Sequence, residues 1–216
     1  MSLPRRSTFF ALLLVAALCA PAQALAALIT SASDAALSGA LVQTFDAAAT
    51  GDFSDRTFLI GGDGFTITPV SSTLRIGGNW CDDFGTTGNC LETYSSSTGS
   101  NDEFDVVFTG AGVSAFGFDV TALDTDWTIE TYDENDVLLG TYTVLSQSPT
   151  LSGFDRRGYF GATETSAIQR FTVRSSGADY ALIDNVAYVP TPEPGTGVLA
   201  GLGLMGLAWA GRPTRR

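Results

Sequence analysis

A chain with 23 acidic residues, 11 arginines, no lysine and no histidine lacks most of the usual catalytic apparatus. Without histidine there is no Ser-His-Asp or Cys-His relay and no histidine-bound zinc. The sequence also contains no G-x-S-x-G elbow and no phosphate-binding glycine loop. What remains is carboxylate chemistry: oxygen ligation of a hard cation, or paired acids for glycoside hydrolysis. Among so many acids some pair always falls at a suitable separation, so pairing alone carries no catalytic argument. We expect a protein that is not an enzyme.

Asp184 is the most informative acid. In "YALIDNVAYV" strict alternation places it on the face of Leu182, Val186 and Tyr188, where a charge wants a partner. One reading is a calcium ion shared with Asp46 of "VQTFDAAATGDF", with backbone carbonyls completing a shell of about 6 to 8 oxygens. The other is an arginine ion pair or hydrogen bonds to a turn. Asp124 and Asp126 in "ALDTDW", and Asp133 to Asp136 after it, lack EF-hand spacing and read as solvated turn charges. Among the aromatic residues, Trp80, Trp127, Tyr132 and Tyr159 are candidates for stacking on a sugar ring. Trp127 alternates with Ile129 and reads as core; Trp80, beside turn glycines, is the better exposed candidate.

Trp80 adjoins Cys81, which with Cys90 encloses "CDDFGTTGNC". In an oxidising compartment a disulfide closing this short loop is the first reading, with a stabilisation of about 2 to 3 kcal/mol. The spacing fits neither C-x-x-C nor a zinc framework.

The elements that must position these residues are strands. "FDVVFTG" sets Phe104, Val106 and Phe108 against polar partners, "FGFDV" does the same with Phe116, Phe118 and Val120, and "RFTVR" with Phe171 and Val173. "WTIETYDENDVLLGTYTV" reads as a hairpin around Asp133-Glu134-Asn135-Asp136. Only "SDAALSGALVQTF" offers a helical period, for one short N-terminal helix. About ten short strands between turn signals argue for an all-β, antiparallel, jelly-roll-like β-sandwich.

Both ends are of another character. Arg5 and Arg6 precede the apolar "FFALLLVAALCA", and Ala22-Gln23-Ala24 or Ala24-Leu25-Ala26 offers the small-residue pattern of a signal-peptidase site, so residues 1–26 read as a secretory signal removed after Sec export. Cys19 follows the bulky Leu18, which argues against a lipid anchor. At the other end Pro192-Glu193-Pro194 leads into an uncharged stretch from Gly197 to Gly211, closed by Arg212, Arg215 and Arg216. About 15 residues of helix span roughly 22 Å, short of the ~30 Å hydrocarbon core of a bilayer. The arginines favour the cytoplasmic side and leave the motif at the outer face.

Those three ordered parts resemble the tail of exported bacterial PEP-CTERM proteins. The resemblance implies recognition at Pro192, Glu193 and Pro194 by an exosortase, a membrane-embedded cysteine protease or transpeptidase, in bacteria that make exopolysaccharide. It divides the chain into a signal peptide (1–26), a β-sandwich domain (27–190) and a sorting signal (191–216), held briefly at the inner membrane by a short transmembrane helix before release. The body resembles the sandwich domains of that group through "FGFDV", "VLLGTYTV" and "DYALIDNVAYVPTPEP".

Trimming leaves 22 acidic residues against six arginines, a net charge of −16. Such a body repels nucleic acid and anionic membrane surfaces and tolerates divalent cations and neutral glycans. The expected function is that of a structural protein of the cell surface or exopolysaccharide matrix. The alternatives are a carbohydrate-binding module of the envelope and, behind it, a carboxylate-dependent glycosidase. No cofactor is expected other than the calcium named above.

Overall fold

A computed structural model describes residues 26–78, 80–81, 88–94, 102–146, 158–192 and 203–204. Its body is two antiparallel sheets packed face to face. The larger runs β1 (Ala27–Ile29), β12 (Gly158–Ile168), β9 (Val113–Thr121), β14 (Tyr180–Pro190), β7 (Cys90–Tyr94), β6 (Thr73–Gly77) and β3 (Gly51–Phe53), with β2 (Leu41–Gln43) also paired to β14. The smaller runs β11 (Leu138–Val144), β10 (Trp127–Tyr132), β13 (Arg170–Ser175), β8 (Glu103–Phe108), β5 (Asp63–Pro69) and β4 (Arg56–Ile60).

The period-two residues fill the space between the sheets. Phe104, Val106, Phe108, Phe116, Phe118, Val120, Phe171 and Val173 are all buried there. Phe116 of the larger sheet stacks on Phe171 of the smaller, centroids 4.3 Å apart and planes 3° from parallel. Each such side chain removes about 1.5–3 kcal/mol worth of apolar surface from water, so this layer is the main source of cohesion. At the turn between β10 and β11, Asp133 Oδ1 accepts from the amides of Asn135 and Val137, and Asp136 takes φ 58°. The acidic hairpin read from the sequence is therefore a turn that closes on its own carboxylate.

Two elements differ from the sequence reading. "SDAALSGALVQTF" gives a single turn of 3-10 helix, Ala35–Leu37, and then β2. Asp34 Oδ1 caps the turn at the Ala36 amide, and Gly39, at φ 77°, breaks it. The segment from β1 to β2 is thus a strap: it starts on β12 at one side, crosses the outer face of the larger sheet and ends on β14. Leu37 pins it against Ile29, Ala115 and Ala187.

The other difference is in β14. Asp184 faces Asp119 on β9, but Ala187 faces Gly117, so three steps on one strand match two on the other. The extra residue is Asn185, at φ 51°, and it makes a β-bulge. Ile183 before the bulge and Val186 and Tyr188 after it all point into the core. Asp184 therefore shares the outer face with Leu182 but not with Val186 or Tyr188, because the bulge reverses the alternation between them.

Candidate functional site

The outer face of the larger sheet carries the candidate chemistry. One row across it reads Asp52, Arg75, Glu92, Leu182 and Thr121, each opposite the next on neighbouring strands. Residues directly opposite in an antiparallel pair share a face, so an acid, a base and an acid stand side by side. Glu92 is only 1% exposed. Tyr180 donates its hydroxyl to Glu92 Oε2 at 3.3 Å, while Glu92 Oε1, Arg75 Nε and Thr121 Oγ1 are buried without a hydrogen-bond partner. Burial pushes the Glu92 carboxyl above its ordinary range, against the opposing pull of Arg75 and the Tyr180 hydroxyl. A side chain at Gly77 would collide with that carboxylate, its Cβ lying 2.3 Å from Oε1.

Above this row sit the cysteines. Cys81 and Cys90 form a disulfide with Cα atoms 6.0 Å apart, and with Ala122, Leu182 and Tyr180 they make a small apolar cluster on the outer face. The same cysteines and Glu92 are the one group of three metal-ligating residues that converges among the described residues; as a disulfide they offer no thiolate. Trp80, held next to the bridge, is 50% exposed, and its ring meets Tyr180 edge-on at 6.4 Å and 79°. An indole braced this way presents a flat apolar surface half open to solvent.

The other anticipated residues are scattered. Trp127 is core, 1% exposed, with its indole Nε1 donating to Asp179 at 2.6 Å. Tyr132 carries the Arg170 guanidinium over its ring at 3.9 Å and donates to Glu130, a structural arrangement on the smaller sheet. Asp126 is not a free loop charge: it accepts from the Ser146 amide, which lowers its pKa. Asp124 is held near Asp179, and its pKa is raised by burial first and by Asp179 second.

Asp46 and Asp184 approach one junction in the sheet. β7 flanks β14 up to Ile183 and β2 flanks it from Val186, leaving Asp184 at the handover. Asp46, just past β2, accepts from the amide of Asn89, just before β7. The cross-strand neighbour of Asp184 is Asp119, whose Oδ2 accepts from Asn185 Nδ2 at 2.8 Å.

Besides Glu92, Asp102 and Asp119, two further buried carboxylates escaped the sequence reading, Asp179 and Glu164. Asp179 accepts from the amides of Asp124 and Thr125, the Thr125 hydroxyl and the Trp127 indole. Glu164 accepts from Thr131 and Tyr142 and ties β12 to the edge of the smaller sheet. The partners lie 22 to 55 residues away in sequence, and no local pattern signals them.

At the C-terminal end, Thr191 still donates its amide to the Gly112 carbonyl at 2.9 Å, and Pro192 is exposed. Glu193 and Pro194 lie outside the described residues, as do residues 1–25 and, apart from the helical Gly203 and Leu204, the apolar stretch. Among the described residues no helix is long and apolar enough to cross a membrane.

Residues 190–216 match the family model of the PEP-CTERM protein-sorting motif. The motif implies an exported chain that an exosortase processes. No curated protein matches the chain. Among solved structures it is similar to a family 29 carbohydrate-binding module from Piromyces equi, at 12% identity over 66% of this chain and 90% of that one, TM-score 0.40. It is also similar to an arabinose-bound MgGH51 α-L-arabinofuranosidase, at 9% identity over 70% of this chain and 26% of that one, TM-score 0.43. A third, TmCBM61 in complex with β-1,4-galactotriose, shares 10% identity over 59% of this chain and 88% of that one, TM-score 0.35.

Proposed function

We propose that the chain is a non-enzymatic structural protein of the cell surface or exopolysaccharide matrix, released as residues 27–190 after signal removal and exosortase processing, and attached to glycan through Trp80. The observation that supports attachment is the half-exposed indole braced edge-on against Tyr180 next to the disulfide. A half-exposed indole offers the flat face on which a sugar ring stacks. The anionic body turns the preference toward neutral polysaccharide.

Co-sedimentation of the exported protein with neutral and acidic bacterial polysaccharides tests this reading. Wild-type protein is expected to pellet with a neutral polymer, and Trp80→Ala to stay in solution with its melting temperature nearly unchanged. Equal pelleting of the two would remove Trp80 from the function and leave a purely structural protein.

A further inference from the structure

Away from Trp80, the strap and the outer face of β9, β12 and β14 enclose a half-open cleft of about 380 Å³. This falls within the roughly 300–1,000 Å³ usual for small-molecule sites. Small residues at outward positions on the three strands, Ala115, Gly117, Gly161 and Ala187, let the strap and the Tyr159 ring lie close to the sheet, and Ala187 lines the cleft. The strap supplies Leu37 and Val42 as apolar walls. The polar side is built from Asp119, Asn185 and Tyr159.

These three groups are set in place by different means. Asp119 and Tyr159 are direct cross-strand partners, so both face the cleft side of the sheet. Asn185 reaches the Asp119 carboxylate only because the bulge in β14 turns it there, and its amide fixes one oxygen at 2.8 Å. The Tyr159 ring leans over Gly117, where even a methyl group would lie 2.6 Å from the phenol oxygen. That phenol oxygen is buried and has no hydrogen-bond partner. A buried hydroxyl left unbonded is a cost the fold carries unless something else completes it.

We infer that this cleft is a second binding site, separate from the Trp80 surface, and that it takes a single neutral pyranose ring. The hydroxyls of a sugar donate to Asp119 and accept from Tyr159 and Asn185, while its C–H face lies on Leu37, Val42 and Ala187. The size suits one ring rather than a chain. Asp34, Asp119 and Asp184 on or beside this face make it hostile to uronic acids and phosphorylated sugars. Burial, then Asp119, then Asp34 push the Tyr159 phenol up to about 12, so it stays a donor at any physiological pH.

The test is titration of the exported protein with D-glucose, D-galactose, D-mannose and D-glucuronate, followed by calorimetry and by amide NMR shifts. At least one neutral hexose is expected to bind and to move the amides of Leu37, Gly117 and Ala187. Glucuronate is expected not to bind. Tyr159→Phe and Asp119→Asn, each near-isosteric, should weaken that hexose about tenfold or more, whereas Trp80→Ala should leave it unchanged. Shift mapping on the wild-type protein locates the site even if a variant fails to fold. The inference is overturned if no neutral hexose saturates, if the shifts cluster at Trp80, or if both cleft variants, folded, bind as wild type. Loss of polysaccharide pelleting with hexose binding intact would instead remove only the Trp80 reading.

Discussion

The outer faces of the two sheets are built from similar residues and treat their polar groups in opposite ways. On the smaller sheet both arginines of β13 are paired with acids. Arg170 bonds Asp136 and Asp105 and lies over Tyr132, Thr172 donates to Asp105, Arg174 bonds Glu103, and Thr57 meets Thr66. On the larger sheet, Glu92, Arg75, Thr121 and Tyr159 each keep a buried atom without a partner, whereas among the described residues the smaller sheet has one such atom beside it, Oδ1 of Asp102, whose backbone bonds Ser175 at the end of β13. The first face is finished against water. The second is finished only by something added to it, which is the physical argument for placing binding there.

The comparison is sharpened first by a buried acid that is fully partnered. Asp179→Ala strands the Trp127 indole and two amides, and is expected to cost about 3 to 5 kcal/mol in urea unfolding. Next comes the calcium proposal for Asp46 and Asp184. If it holds, millimolar calcium should raise stability over EDTA by about 2.7 kcal/mol at a hundredfold excess over Kd, and Asp184→Asn should abolish the gain. Equal melts in calcium and EDTA dispose of the site.

Replacing Cys81 and Cys90 by serine frees the loop that carries Trp80 and should cost about 2 to 3 kcal/mol, read from the denaturation midpoint. Glu92→Gln acts in the other direction and more weakly. The folded carboxyl titrates above the unfolded value of 4.5, so its favourable term is complete below that pH and is lost as pH rises through the folded pKa. The variant should therefore melt higher than wild type at pH 7, with the difference vanishing near pH 4. Smallest of all, Arg174→Ala removes a 2.8 Å ion pair from the smaller sheet, 44% exposed on the arginine side, and should change stability by less than about 1 kcal/mol. A larger loss there than at Cys81 and Cys90 would break the contrast between the faces.

The core was legible because strands with one apolar face obey a period of two, and Phe104, Phe116 and Phe171 lie where that period puts them. The exposure of Trp80 was legible from its turn glycines, and the cysteine pair from spacing and compartment. The face of Asp184 was not, since one bulged residue cancels the alternation on which the reading rested. Neither was the cleft. It depends on a strap that folds back over three strands distant in sequence, and on small residues that look like ordinary strand filler until something crosses them.

The bulge in β14 also decides how this strand can change length. Deleting almost any residue from it would flip every later side chain to the wrong face, driving Val186 and Tyr188 out of the core. Asn185 is the exception. Its loss would leave Ile183 in, Asp184 out, Val186 in and Tyr188 in, a plain strand with the core intact. The fold has no need of this residue, and a lineage could shed it in one codon-sized step. What it would forfeit is the amide that grips Asp119, so the extra residue serves the outer face rather than the core.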